Sequence, residues 1–170
     1  MRRLTLMRHA DARWKNASSD LERALSRRGS AAAELMARRL LELELVPDLV
    51  LVSPARRTQQ TAEILARELA LVPRRVLREE SLYLASCADL LGLVKRTGPR
   101  VAHLMLVAHN PGVSELMQRL LPEGQGDAGL STAGVCSIGL DCEAWTGIEA
   151  ANVCDVQRAA PPPRLFGLFG

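Results

Sequence analysis

The chain has 170 residues, 48% of them hydrophobic and 24% charged, with 22 Lys plus Arg against 19 Asp plus Glu and a net charge of +3. This size and balance fit one compact domain with its own core and exclude the low-hydrophobicity, high-charge signature of disorder. No apolar run approaches the roughly 20 residues that span a bilayer, and residues 4–7 lead straight into Arg8 and His9, so neither a membrane protein nor a secreted one is expected.

Residues 3–8 (R-L-T-L-M-R) read as a short strand. Residues 27–43 follow with Ala32, Leu35, Met36, Leu40 and Leu43 at helical spacing and most charges off that stripe, which predicts a covering helix. Residues 48–52 (D-L-V-L-V) predict a strand buried on both faces. Ser53 and Pro54 then look like an N-cap and first position of a helix reaching about residue 70. A short strand is expected over 76–79, and Ser86 with Asp89 forms a capping-box-like start to a helix through about Lys95, closed by Gly98 and Pro99. Residues 101–108 repeat the buried-strand pattern, and Asn110 with Pro111 resembles a second cap, opening a helix toward Leu121. A Gly-rich loop over 123–129 and closing strands over 135–140 and 151–156 complete the body. Such alternation implies an α/β three-layer sandwich, its central sheet mostly parallel, with helices on both faces. The domain is expected to span 1–158, followed by a Pro-rich tail over 159–170 that is either a flexible end or an arm packed on the body.

Lys15 and Lys95 are the only lysines, so arginine dominates the positive charge. Arginine suits bidentate phosphate recognition, although codon composition is the plainer account of such a bias. The aromatic residues Trp14, Tyr83, Trp145, Phe166 and Phe169 do not alternate with basic ones, which argues against nucleic acid as a partner. Cys87, Cys136, Cys142 and Cys154 form no C-x-x-C pair and no metal-ligand spacing with histidine. Reduced thiols and a cytoplasmic location are the working expectation.

In a sheet of this kind, ligands bind beyond the carboxyl ends of the strands. Arg8 and His9 follow the first predicted strand, Ser53 to Arg57 the second, and His109 with Asn110 the strand ending at Ala108. Two imidazoles, at least two guanidiniums and two helix N-termini could therefore converge on one crevice suited to a phosphoryl group. His103, inside a buried strand, reads instead as a hydrogen-bonded core histidine.

These segments resemble the histidine phosphatase superfamily. L-T-L-M-R-H-A-D-A from Leu4 is similar to its R-H-G or R-H-A signature, S-P-A-R-R-T-Q-Q-T-A from Ser53 to its S-P-x-x-R-x-x-Q-T-A segment, and L-V-A-H-N-P-G-V-S-E-L from Leu106 to the segment bearing its second histidine. The stretch D-L-E-R-A-L-S-R-R-G from Asp20 resembles that of the SixA-type phosphohistidine phosphatase branch, with Ala24 where proline is usual. The resemblance implies a phosphoglycerate mutase-like fold, with His9 as the nucleophile and Arg8, Arg57 and His109 holding the phosphoryl group. It further implies Arg23 as an accessory anion contact, and an acidic residue after the third strand, Glu80, as possible general acid.

No cofactor or metal is required by such a scheme, since a neutral imidazole attacks phosphorus and arginines carry the charge. About twenty residues separate Glu80 from residue 101, too few for a long lid. An open pocket favours a histidine displayed on a partner protein, a phosphorelay or phosphotransferase carrier, over small metabolites that need burial. A small-metabolite phosphomonoester phosphatase and a non-catalytic phosphate-binding module remain the alternatives.

Overall fold

Strands form where the sequence carries short apolar runs, and helices where the apolar positions recur every three or four residues. The structure, a computed structural model, describes residues 1–122 and 128–162. In chain order it comprises β1 (Arg2–Arg8), α1 (Arg27–Glu42), β2 (Leu49–Val52), α2 (Arg56–Glu68), β3 (Val76–Arg78), α3 (Cys87–Lys95), β4 (His103–Ala108), α4 (Gly112–Leu120), β5 (Val135–Leu140) and β6 (Val153–Ala159). Short 3-10 turns punctuate them, among them Asp20–Glu22 and Glu80–Leu82. Most of the expected Gly-rich loop and the tail beyond Pro162 lie outside the described residues. No described helix is long and apolar enough to cross a membrane.

The six strands form one sheet in the order β3-β2-β4-β1-β5-β6. β3, β2, β4 and β1 pair in parallel, and β5 runs against both of its neighbours. Alternate side chains split the core into two halves. Leu4, Leu6, Leu104 and Leu106 face α3 and α4, where they meet Leu90, Val94, Leu116 and Met117. Met7, Val50, Val52, Met105 and Val107 face α1 and α2, meeting Ala33, Met36, Leu40 and Leu65. Each fully buried side chain of this kind contributes about 1.5–3 kcal/mol. The expected three-layer α/β sandwich is thereby realised.

Two helix starts differ from expectation. α2 begins at Arg56 with Ala55 as its cap residue, not at Ser53, whose hydroxyl lies 2.7 Å from the ring of His109. α4 begins at Gly112 after a cis Asn110–Pro111 peptide bond, and the Asn110 side chain donates to the Leu130 carbonyl (2.9 Å) while accepting from Ser114 (2.7 Å). A capping oxygen must be free to accept from a backbone N–H of the first turn of its helix, and here the Ser53 hydroxyl is taken by the distant His109 and the Asn110 oxygen by the hydroxyl of Ser114. The capping box at Ser86 and Asp89 forms as the sequence implies. His103 bonds Thr5 Oγ1 (2.8 Å) and the Val46 carbonyl (3.2 Å), so it is hydrogen-bonded as anticipated, but it is half-buried at the first residue of β4 and does not lie in the core.

Candidate active site

β4 lies between β1 and β2, so the residues that leave the ends of these three strands stand side by side. The ladder continues one step past the strands: His9 N–H donates to Ala108 O and Ser53 N–H to Val107 O, both at 3.1 Å. α2 is tied to the loop after β1 by Thr61, which accepts from Ala10 N–H (3.1 Å) and donates to Arg57 O (2.7 Å). Gln60 does the same for the next segment, accepting from Leu25 N–H at 2.8 Å.

His9 Nδ1 lies 2.8 Å from its neighbour's carbonyl, Ala10 O. A carbonyl only accepts, so Nδ1 carries the proton and Nε2 presents a lone pair. Arg57 Nε–H points at that lone pair from 3.2 Å. Burial pushes the His9 pKa down to about 4; the Ala10 hydrogen bond opposes this, and the positive charges of Arg57, Arg8 and Arg23 reinforce it. The ring is therefore neutral across the physiological range, as a nucleophilic imidazole must be.

The His109 ring centroid is 5.2 Å from that of His9. Its Nδ1 faces Arg57 Nη2 at 3.3 Å, and because a guanidinium has only donors, the proton of His109 sits on Nε2 and is donated to Ser53 Oγ. Burial lowers this pKa to about 3, helped by the neighbouring His9 and Arg57.

Arg57 organises the centre. Only 3% exposed, it reaches both histidines and also donates from Nη1 to Asp20 O (2.6 Å) and from Nη2 to Asp20 Oδ2 (2.8 Å). Asp20 accepts further from Tyr83 OH (2.8 Å) and Arg23 Nη1 (3.1 Å). Burial alone would raise its pKa, but the hydrogen bonds from Tyr83, Arg57 and Arg23 outweigh burial and hold it at about 2. Asp20 is thus a fixed negative anchor, not a proton donor at neutral pH.

Arg8 donates from Nη1 to Leu130 O at 3.2 Å, yet its Nε and that of Arg23 are buried with no hydrogen-bond partner among the described residues. A buried guanidinium N–H without a partner costs free energy that an incoming oxyanion would recover. The sequence-selected His9, Arg8, Arg57, His109 and Arg23 therefore gather in one place. Glu80 does not join them: it stands at the rim, exposed, with its carboxylate 2.6 Å from Arg78 Nε. Sequence reasoning gave no role to Ser53 as the partner of His109 or to Tyr83, and it met Asp20 only as part of a motif. Nothing in the local sequence brings residue 83 opposite residue 20.

Residues 4–82 match the model of the histidine phosphatase superfamily (branch 1). The chain is 33% identical over 141 residues to the phosphohistidine phosphatase SixA of Escherichia coli, covering 80% of this chain and 84% of that protein. Among solved structures, one from Agrobacterium tumefaciens assigned to SixA superposes with a TM-score of 0.81 at 25% identity, covering 94% of this chain and 98% of the other. The protein histidine phosphatase SixA in complex with tungstate gives 0.72 at 27% identity, with 93% and 96% covered. With the site's geometry and these likenesses in agreement, the chain belongs to the histidine phosphatase superfamily, in its SixA-type branch.

Proposed function

We propose that this phosphatase removes the phosphoryl group from a histidine carried by a partner protein, a phosphorelay or phosphotransferase carrier, and does so through a covalent intermediate on His9. The observation that carries the reading is the neutral His9 ring, whose Nε2 lone pair is aimed into a cluster of Arg8, Arg23 and Arg57. In the first step Nε2 attacks phosphorus and the substrate's P–N bond breaks. The leaving imidazole, already protonated on its ring, departs neutral. In the second step water attacks the phosphorus of phospho-His9, the new P–N bond breaks, and phosphate leaves as His9 recovers its lone pair.

Arg8 and Arg57 hold the equatorial oxygens in both steps, Arg57 turning its Nε–H from His9 to the phosphoryl group as the lone pair attacks; His109 joins them once its Nδ1 exchanges Arg57 for a proton shared with the phosphoryl oxygens, and Arg23 extends the anion site. Preorganised donors of this kind supply about 3–4 kcal/mol each to the transition state. A SixA relative is solved in complex with tungstate, a tetrahedral oxyanion, which supports an oxyanion site in this chain. With charge supplied by guanidiniums, the scheme needs no metal or cofactor. A protonated imidazole leaves without strong acid help, so the proposed step does not call on Glu80, which stands at the rim beside Arg78.

The test is phosphate release from a phosphohistidine-bearing carrier with chelator present, comparing the native chain with His9→Ala and with a panel of small phosphoesters. Chelator-resistant turnover that vanishes in His9→Ala and exceeds the ester rates supports the reading. Native activity in His9→Ala overturns the nucleophile. Faster ester turnover makes the protein a metabolite phosphatase, and phosphate binding without turnover makes it a binding module.

A further inference from the structure

Two shallow depressions flank the catalytic centre. One, of about 320 Å³, is lined by Arg13, Lys15, Glu22 and Arg56 among others. The other, of about 370 Å³, shares Glu22 and Arg56 and adds Leu21, Pro54, Arg78, Glu80 and Tyr83. Tyr83 joins this rim to the centre, since its hydroxyl bonds Asp20 and its ring meets the His109 ring edge-on at 5.6 Å.

The charges of the rim are unevenly satisfied. Its carboxylates already have partners: Glu22 accepts from Ser18, Glu80 from Arg78, Asp11 from Ser26 and Arg28, and Asp20 from Arg57, Arg23 and Tyr83. Arg13, Lys15 and Arg56 are exposed and form no salt bridge among the described residues, Arg56 acting on Glu22 only at longer range. Large apolar side chains stand on the segments that border the same mouth: Trp14 is 61% exposed, Leu84 59% and Leu21 42%. The Arg23 guanidinium stacks on the Trp14 ring at 4.5 Å, which ties that exposed indole to the anion site.

Exposed cations without a salt bridge, set around exposed aromatic and aliphatic side chains, are the composition of a protein-binding surface. A small ligand would need enclosure, and a single-stranded nucleic acid would need a row of aromatic platforms where this rim has one indole. We propose that this rim docks an acidic, partly apolar protein surface surrounding the phosphorylated histidine, an inference that rests on the function proposed above.

Steady-state kinetics on an acidic carrier domain and on free phosphohistidine, at low and high salt, test it. The variants are the triple Arg13→Glu, Lys15→Glu, Arg56→Glu and the single Leu84→Ser, with melting curves as a control for folding. The triple variant is expected to raise KM for the carrier by about tenfold or more at low salt and to lose its salt dependence, while kcat and turnover of free phosphohistidine stay native. Leu84→Ser is expected to raise the same KM severalfold at either salt. Native kinetics of the triple variant on the carrier, or equal losses on both substrates, overturn the docking surface while leaving the proposed function standing. Competition by a single-stranded oligonucleotide that the triple variant abolishes assigns the rim to nucleic acid instead. If the native chain turns over free phosphohistidine and no protein-borne one, the function and the docking surface both fall.

Discussion

Arg57 and Tyr83 donate to the same atom, Oδ2 of Asp20, each at 2.8 Å. One carboxylate oxygen therefore sets the position of the guanidinium that touches both histidines and of the phenol ring that packs on His109. Asp20→Asn keeps the shape but removes the charge and half of the acceptor capacity. Hydrogen bonds to charged groups are worth about 1.5–3 kcal/mol, so kcat/KM is expected to fall about 10- to 100-fold, read on any phosphorylated substrate. Tyr83→Phe, which leaves Arg57 paired, is expected to cost about 3- to 10-fold.

Four of the five N–H groups of Arg57 are engaged, Nε toward His9, Nη1 toward the Asp20 carbonyl, and Nη2 toward the Asp20 carboxylate and His109. Lysine supplies one point charge and cannot reach these acceptors together. Arg57→Lys is expected to lower kcat by about 100- to 1,000-fold while the protein stays folded, as checked by single-turnover rates alongside a melting curve.

Acid acts on activity and on stability in the same direction. With the His9 pKa at about 4, its ring stays neutral well below the ordinary 6.5, so the acid limb of kcat/KM is expected near pH 4, measured with a small phosphoester because phosphohistidine itself is acid-labile. His9, His103 and His109 are all held below 6.5, at about 4, 4 and 3. The unfolded chain binds these protons near pH 6.5 and the folded chain only near pH 3–4, so between these limits the unfolded state holds more protons. Stability is thus present in full above pH 6.5 and is lost as pH falls through that window. Melting temperatures between pH 8 and 4 should decline only below about 6.5.

Gly29 brings the first turn of α1 against the loop that follows His9. A Cβ there would meet the Asp11 carbonyl oxygen at 2.1 Å, and that carbonyl accepts from Ser26 N–H at 2.9 Å. Gly29→Ala is expected to destabilise the fold by about 1–3 kcal/mol through overpacking, seen as a lower denaturation midpoint. A loss of kcat with native KM would accompany it if the displaced loop carries His9 with it.

Much of this was legible before any coordinates. The alternation of apolar runs placed the six strands and four helices, because buried strands and amphipathic helices leave different periodicities. Arg8, His9, Arg57 and His109 were found because each leaves the end of a strand or starts the helix that follows. Ser53 and Asn110 misled for a physical reason: the residue types that cap helices are also those that satisfy buried tertiary partners, and sequence does not say which wins. Here Ser53 serves His109, and Asn110 serves Leu130 and Ser114. Asp20, Arg23 and Tyr83 meet across loops whose approach depends on the whole sheet, so no local pattern announces their contacts. The direction of β5 was equally silent, since a fully buried strand reads alike either way.

The placing of β4 between β1 and β2 has a consequence for a chain as it is being made. β1 and β2 do not pair with each other; each pairs with β4. A nascent polypeptide that has emerged only through α3 already contains His9 and Arg57, but lacks the strand that sets them at the right spacing and the second imidazole. The proposed site is therefore completed only after residue 109 is available to the sheet, and a chain cut short before that point holds His9 and Arg57 without the strand that pairs with both β1 and β2.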